Sequence, residues 1–354
     1  MVRKWQDAKF YFTDEDIKMH YYSTQENCLY ILGNGFDPRM LVGLKMITEC
    51  VKSLDVLLVN FSDNDINAPM VQQKLSTTNR DELELLSKNY ENIDISNVDN
   101  LSLYLKENLC IGNRYSRVIV DISSMPQSIY FHMVKHFVNL TKKQSAVKLD
   151  IIVCENSDFD DAIIPTDLQD ANYLGGFGTF SNSVISDDEK VSIWFPLLGK
   201  NSGEVFLKFL NLTEQHDEIC PILPFPSKNP RRLDEIFLEL GSRLFGENLI
   251  DKRDILYVAE RNVMDVYKKL HDAISFYNDV ISLIGTPRFY VLADSSKLIC
   301  LGALMVYLDL SASGQGTLSF ANVNNGGYIL DMKSYDNSQN QLCLLCMGDS
   351  IYEW

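Results

Sequence analysis

Apolar runs of strand length alternate with helix-period segments along most of this chain, and that rhythm restricts the fold more than any other feature. A strand, an amphipathic crossover and a second strand build a parallel sheet with helices on its faces. Strands are expected at Cys28 to Leu32, Val56 to Phe61, Arg117 to Ile122 and Leu149 to Cys154, with helices at Met40 to Leu54, Met70 to Leu86, Leu101 to Leu109 and Gln127 to Leu140. A polar, glycine-rich passage follows. The alternation then restarts with strands at Val191 to Leu197, Glu218 to Leu223, Ile255 to Ala259 and Arg288 to Leu292, and helices at Glu204 to Leu212, Arg232 to Leu244, Val263 to Val280 and Lys297 to Leu308. The expected fold is α/β: two Rossmann-like units with mainly parallel sheets, at 1–155 and 191–315, a connector at 156–190, and a β-rich C-terminal extension at 316–354.

Composition narrows the function classes. A formal charge of −16 over 354 residues argues against general duplex-DNA binding, which needs clustered cations to neutralise phosphates. No apolar run reaches the length of a membrane span, and the start lacks the apolar core of a signal peptide, so a cytoplasmic protein with no membrane partner is expected. The eight cysteines fall mostly inside apolar segments without scaffold spacing, and are expected reduced. Cys343 and Cys346 have C-x-x-C spacing but sit in an apolar strand with no second pair, and His132 and His136 lack the glutamate of a metalloprotease helix. No metal set is expected, and no cofactor can be named.

Ligands of open α/β sheets lie beyond the carboxyl ends of the strands, so the residues after each strand carry the functional reading. Cys28-Leu-Tyr-Ile-Leu-Gly33-Asn34-Gly35-Phe36-Asp37-Pro38-Arg39 runs from strand to glycine turn to helix. Gly33 and Gly35 are expected to adopt φ > 0 and to let a phosphate or sugar approach the backbone, with Asn34 and Arg39 beside it. Pro38 stands where a dinucleotide fingerprint needs its third glycine, which excludes that site type. Asp63, at the end of the second strand, is a candidate ribose contact, and Ser123 and Ser124 after the third are candidate ligand contacts or helix caps. Asp37 and Asp121 are the candidate acid–base groups. In the second unit, Lys200, Ser227, Lys228, Arg231, Ser296 and Lys297 follow strands and enter helices, and together they suggest a focused anion pocket in an acidic surround.

Tyr30-Ile-Leu-Gly-Asn-Gly-Phe-Asp37 resembles the G-N-G-F-D motif of the bacterial abortive-infection AbiH proteins, which implies a phage-defence setting and a nucleotide-like ligand. Asp294-Ser295-Ser296-Lys297 is similar to the small-hydroxyl-lysine loop of CARF-type Rossmann domains, which implies sensing of oligonucleotides. The reading is a nucleotide- or short-oligonucleotide-binding component of a prokaryotic anti-phage system. Its enzymatic form would act at a phosphoester or N-glycosidic bond. The alternatives are a non-catalytic adaptor binding a protein partner, such as one from the same operon, through its acidic surface, and a two-domain nucleotide-sugar transferase.

Overall fold

The computed structural model describes residues 5, 8–22, 26–61, 69–87, 90–95, 101, 104–105, 114–144, 146–178, 190–212, 217–245, 250–313, 318–336 and 338–347. The chain forms two compact units. The first comprises Trp5–Asp158 with Met332–Trp354, and the second is largely Phe159–Asp331.

In chain order the strands are β1 (Lys9–Tyr11), β2 (Cys28–Asn34), β3 (Leu54–Phe61), β4 (Tyr90–Ile95), β5 (Arg117–Asp121), β6 (Lys148–Glu155), β7 (Ile163–Thr166), β8 (Ala171–Tyr173), β9 (Lys190–Leu198), β10 (Glu218–Ile219), β11 (Ile222–Pro224), β12 (Leu256–Val258), β13 (Thr286–Asp294), β14 (Leu318–Val323), β15 (Gly327–Leu330) and β16 (Gln341–Cys346). The helices used below are α1 (Asp14–Tyr22), α2 (Val42–Cys50), α3 (Met70–Leu86), α4 (Gln127–Lys143), α5 (Gly203–Leu210), α6 (Arg232–Phe245), α7 (Val263–Ile281) and α8 (Lys297–Ser313).

The sheet of the first unit has the order β1-β16-β6-β5-β2-β3-β4. Strands β2 to β6 are mutually parallel, while β16 runs antiparallel beside β6 and β1 antiparallel beside β16. Numbered by appearance, the five parallel strands read 3-2-1-4-5, the doubly wound order. Alternation places Cys28, Tyr30 and Leu32 in one apolar cluster with Ile17, Leu44 and Ile47, and the intervening Leu29 and Ile31 are buried on the opposite face. Both faces are covered, which is why β2 reads as an unbroken apolar run.

The second unit repeats that order. Its sheet runs β12-β11-β9-β13-β14-β8, parallel from β12 to β14, with β8 antiparallel at the edge and β10 paired to β9. On one face Trp194 stacks on Tyr290 at 4.7 Å and meets Phe209 of α5, within a cluster that includes Ile236 and Leu240 of α6. The other face carries α7 and α8, which touch closely: a Cβ on Gly302 would lie 2.7 Å from Val266 Cβ and 2.8 Å from the Val263 carbonyl.

Three expectations are corrected. The segment 316–354 is not one extension: β14 is the fifth parallel strand of the second unit, and β16 belongs to the first. Part of the expected connector is ordered structure, since β7 pairs with β15 and β8 completes the second sheet. The helix expected from Met40 to Leu54 ends at Cys50, and Leu54 already begins β3. Among the described residues no helix is long and apolar enough to cross a membrane.

Candidate functional site

In a doubly wound sheet the crevice opens where the strand order reverses, which here is between β2 and β5 and, in the second unit, between β9 and β13. Gly33, Asn34, Gly35, Arg39, Asp121, Ser123 and Ser124 lie in the strand ends and loops at the first of these points and Lys200, Ser296 and Lys297 in those at the second, whereas Ser227, Lys228 and Arg231 follow β11, one strand away. In the first unit Leu32 is level with Asp121 in parallel register, so the Gly33–Arg39 turn and the Asp121–Met125 loop leave the same end of the sheet.

The two loops close on each other. A Cβ on Gly33 would lie 2.7 Å from Met125 Cγ, and one on Gly35 would lie 3.1 Å from the Ser124 carbonyl oxygen. Ser124 Oγ donates to the Gly33 carbonyl at 2.6 Å. Neither glycine has positive φ; among the described glycines only Gly176 does. The expectation of φ > 0 is therefore corrected: these glycines are required by the approach of the neighbouring loop. Asn79 of α3 donates to the carbonyls of Gly35 and Asp37, both at 2.9 Å, fixing the turn from the other side.

Asp37 and Asp121, the candidate acid–base pair, are each held by the chain. Asp37 accepts from Arg39 backbone N at 2.9 Å, and from Arg39 Nε and Nη2 at 2.9 Å and 2.7 Å, so the buried carboxylate and guanidinium satisfy one another within a single turn. Asp121 accepts from Tyr30 Oη at 2.5 Å and from Ser123 N at 2.9 Å. Gly43 of α2 lies over this pair, where an added Cβ would sit 2.5 Å from Tyr30 Oη. Burial, then the Asp121 charge, pushes the Tyr30 phenol up. Ser123 Oγ accepts from Cys154 N at 2.8 Å, tying β5 to β6. Asn34 opens a polar ladder across three adjacent strands, donating to Asn60 at 2.7 Å, which donates to Asp94 at 2.8 Å. Asp63 lies outside the described residues.

In the second unit the loop after β9 places Gly199 beside β13: an added Cβ would be 3.7 Å from the Asp294 carbonyl and 3.8 Å from Ser295 Cα. Ser202 Oγ accepts from Gly199 N at 2.9 Å and lies 3.2 Å from the Asp294 carbonyl, to which it donates. Asn201 adopts φ 64°, and Asn201 N and Gly203 N both donate to Glu239, at 3.0 Å and 2.7 Å. A carboxylate from α6 thus occupies the amide nest at the start of α5. Gly203 makes room for it, because a Cβ there would lie 2.6 Å from Glu239 Oε1. Gly203→Ala is expected to displace that carboxylate and cost about 1–3 kcal/mol, read as a lowered urea midpoint.

Among the basic candidates, Lys200 stands between carboxylates, its Nζ 3.9 Å from Asp161 and 3.8 Å from Glu235. The cation at the centre is Arg232, buried, which reaches Asp161 at 2.7 Å, Glu235 at 3.5 Å and Glu260 at 3.5 Å. Lys228 joins through its backbone N–H, which donates to Glu260 at 2.9 Å. Ser227 Oγ donates to the Asn229 carbonyl, and Arg231 is exposed with its backbone N–H on Asn229 Oδ1. Ser296 caps α8, its Oγ accepting from Ile299 N at 3.4 Å, and Lys297 is half-buried in the first turn.

Asp294, at the reversal point, is pushed up to about 6 by burial, with the Glu239 charge adding to the shift and Ser202 opposing it. A carboxyl whose folded pKa is raised binds protons more tightly when folded, so its contribution to stability falls as pH rises from about 4 to 6. Asp294→Asn is expected to remove that slope and to raise the thermal midpoint at pH 7 more than at pH 4.5.

At the opposite end of the first sheet lies a buried charge network that the sequence reading missed. Arg117 donates to Asp150 and, at 2.6 Å, to Glu26, while Lys148 reaches Glu26 at 2.9 Å and Tyr21 Oη donates to Asp150 at 2.9 Å. His20 Nε2 is 3.4 Å from Asp150 and 3.5 Å from Cys346 Sγ, spacings that a small cation could share. Arg117 Nη1 stands 3.1 Å from the same His20 nitrogen, so the guanidinium already supplies the positive charge. Cys343 and Cys346 are both buried on β16, level with Val153 and Asp150, and an odd spacing along a strand turns them to opposite faces.

No protein-family model matches the chain, and no curated protein matches it. Among solved structures it is similar to the cytoplasmic domain of a prokaryotic cation chloride cotransporter, with 10% identity, 86% of this chain and 96% of that chain covered, and a TM-score of 0.22. It is also similar to the CcbJ methyltransferase from Streptomyces caelestis, with 10% identity, 46% and 54% covered, and a TM-score of 0.22. At these scores the likenesses carry no argument about fold or function.

Proposed function

We propose that this protein binds a nucleotide or short oligonucleotide at the carboxyl ends of its parallel sheets, as a sensing or binding component of a prokaryotic anti-phage system. The supporting observation is that both units have the 3-2-1-4-5 strand order, with polar loops at the point of reversal where doubly wound sheets take their ligands. The defence setting rests on the likeness of Gly33–Asp37 to the abortive-infection motif. Binding is favoured over catalysis because Asp37 is spent on Arg39, and Asp121 on Tyr30 and Ser123. Mass spectrometry of small molecules released on denaturing the purified full chain tests the reading. A released nucleotide or oligonucleotide is expected; none released, with no thermal shift across a nucleotide panel, would remove it.

The adaptor alternative has one specific observation behind it. Phe276 and Val280, one turn apart near the end of α7, and Leu283 and Ile284, in the turn that follows it, are 64%, 48%, 83% and 80% exposed.

A further inference from the structure

We propose that Arg261 anchors an oxyanion site in the second unit, suited to a phosphate group. Arg261 follows β12 at the carboxyl end of the parallel sheet and precedes Asn262, the cap of the 19-residue helix α7. Its Nε and Nη2 are closed off from solvent and have no hydrogen-bond partner. Those two nitrogens form the side of the guanidinium that grips a carboxylate or phosphate with parallel bonds. The residue as a whole is half-buried, but these two donors, shielded and without an acceptor, carry a desolvation penalty.

The chain does not fill this fork, although acidic residues outnumber basic ones 48 to 32. The two carboxylates closest in sequence are engaged elsewhere. Glu260 accepts from Lys228 N at 2.9 Å and faces Arg232 Nε at 3.5 Å. Asp265 accepts from Ala259 N at 2.7 Å and from Lys269 at 2.8 Å. Arg261 also directly precedes the cap of α7, at the positive end of the helix dipole, where a cation is disfavoured and an anion is stabilised. An oxyanion in the fork answers both the missing acceptor and the unfavourable dipole. Because the fork is shielded, the anion reaches it through a local opening of this end of the sheet, and is then held where a charge-assisted hydrogen bond is strong.

The proposal rests on the nucleotide reading and names the chemistry that one of its sites would recognise. The probe is inorganic pyrophosphate, titrated calorimetrically into the full chain and into Arg261→Gln, Arg261→Lys and Arg253→Gln. Saturable binding is expected in the wild type, weakened at least tenfold in Arg261→Gln and several-fold in Arg261→Lys, which keeps the charge but not the fork. Arg253→Gln, a change at an exposed arginine paired with Asp251, is expected to bind as the wild type does. Without probe, Arg261→Gln is expected to unfold at the same temperature or higher, since it removes an orphaned charge; a residue with a structural role would lower it. Equal pyrophosphate binding in wild type and Arg261→Gln overturns the site, as does a wild type that binds none. If nucleotides are still released from the purified protein, or bind Arg261→Gln unchanged, the nucleotide reading stands while this site falls; if no nucleotide binds anywhere, both fall.

Discussion

Arg117→Met is expected to destabilise the first unit by about 3–5 kcal/mol, because it leaves Asp150 buried and charged without its guanidinium. Burial raises the Asp150 pKa, but His20 and Arg117 more than offset it, so the group lies below the usual carboxylate range. Glu26 is likewise lowered: burial opposes the shift, and Lys148 and Arg117 outweigh it. A carboxylate with a depressed folded pKa stabilises the fold above its unfolded value, roughly 4, and that stability is lost as pH falls through the folded value. In Arg117→Met the buried Asp150 should instead favour the protonated form. The difference from wild type should therefore be large at pH 7 and smaller at pH 4. Urea midpoints at both pH values measure it. Equal stability of Arg117→Met and wild type at pH 7 would show that the network contributes nothing.

Asp121→Ala is expected to cost about 3 kcal/mol, since it strands the Tyr30 hydroxyl and the Ser123 N–H in a site less than 2% exposed. Asp121→Asn should retain most of that stability, because an amide oxygen can accept from Ser123 N while its nitrogen donates to Tyr30 Oη. A catalytic carboxylate would behave in the opposite way, losing activity in the Asn variant without a shift in unfolding. Unfolding curves for the two variants, beside nucleotide binding, separate the roles. An unchanged midpoint in Asp121→Ala would return this residue to the list of candidate acids.

The fold class was legible because central parallel strands are buried on both faces. Residues 28–32 and 118–120 form continuous apolar runs that turn signals delimit. Strand β4 escaped because it lies at the sheet edge, and Tyr90-Glu-Asn-Ile-Asp-Ile exposes its polar residues. The membership of β16 escaped for a different reason: which sheet a C-terminal strand joins depends on pairing with β6, nearly 190 residues away, which periodicity does not encode.

The candidate residues were legible as positions and less so as roles. The glycines were read as making room for a ligand, whereas Gly33 and Gly35 make room for Ser124 and Met125, and Gly203 for Glu239. One strand-turn-helix pattern serves either purpose, and only the tertiary partner tells them apart. Arg232 had a faint signal, its place beside Arg231 at a helix start. Glu239, in mid-helix, had none. Arg261, between a strand and a helix cap, had no distinguishing signal, because its orphaned nitrogens are a property of the assembled structure.

Hydrogen exchange of the full chain, with and without the nucleotide that it retains or that shifts its melting most, tests directly whether ligand binds at the carboxyl ends of the sheets. Slowed exchange is expected in peptides covering residues 33–39 and 121–126, or 199–203, 259–262 and 294–297. Protection confined to the opposite sheet end, around Arg117 and Asp150, or no protection at saturating nucleotide, would contradict it.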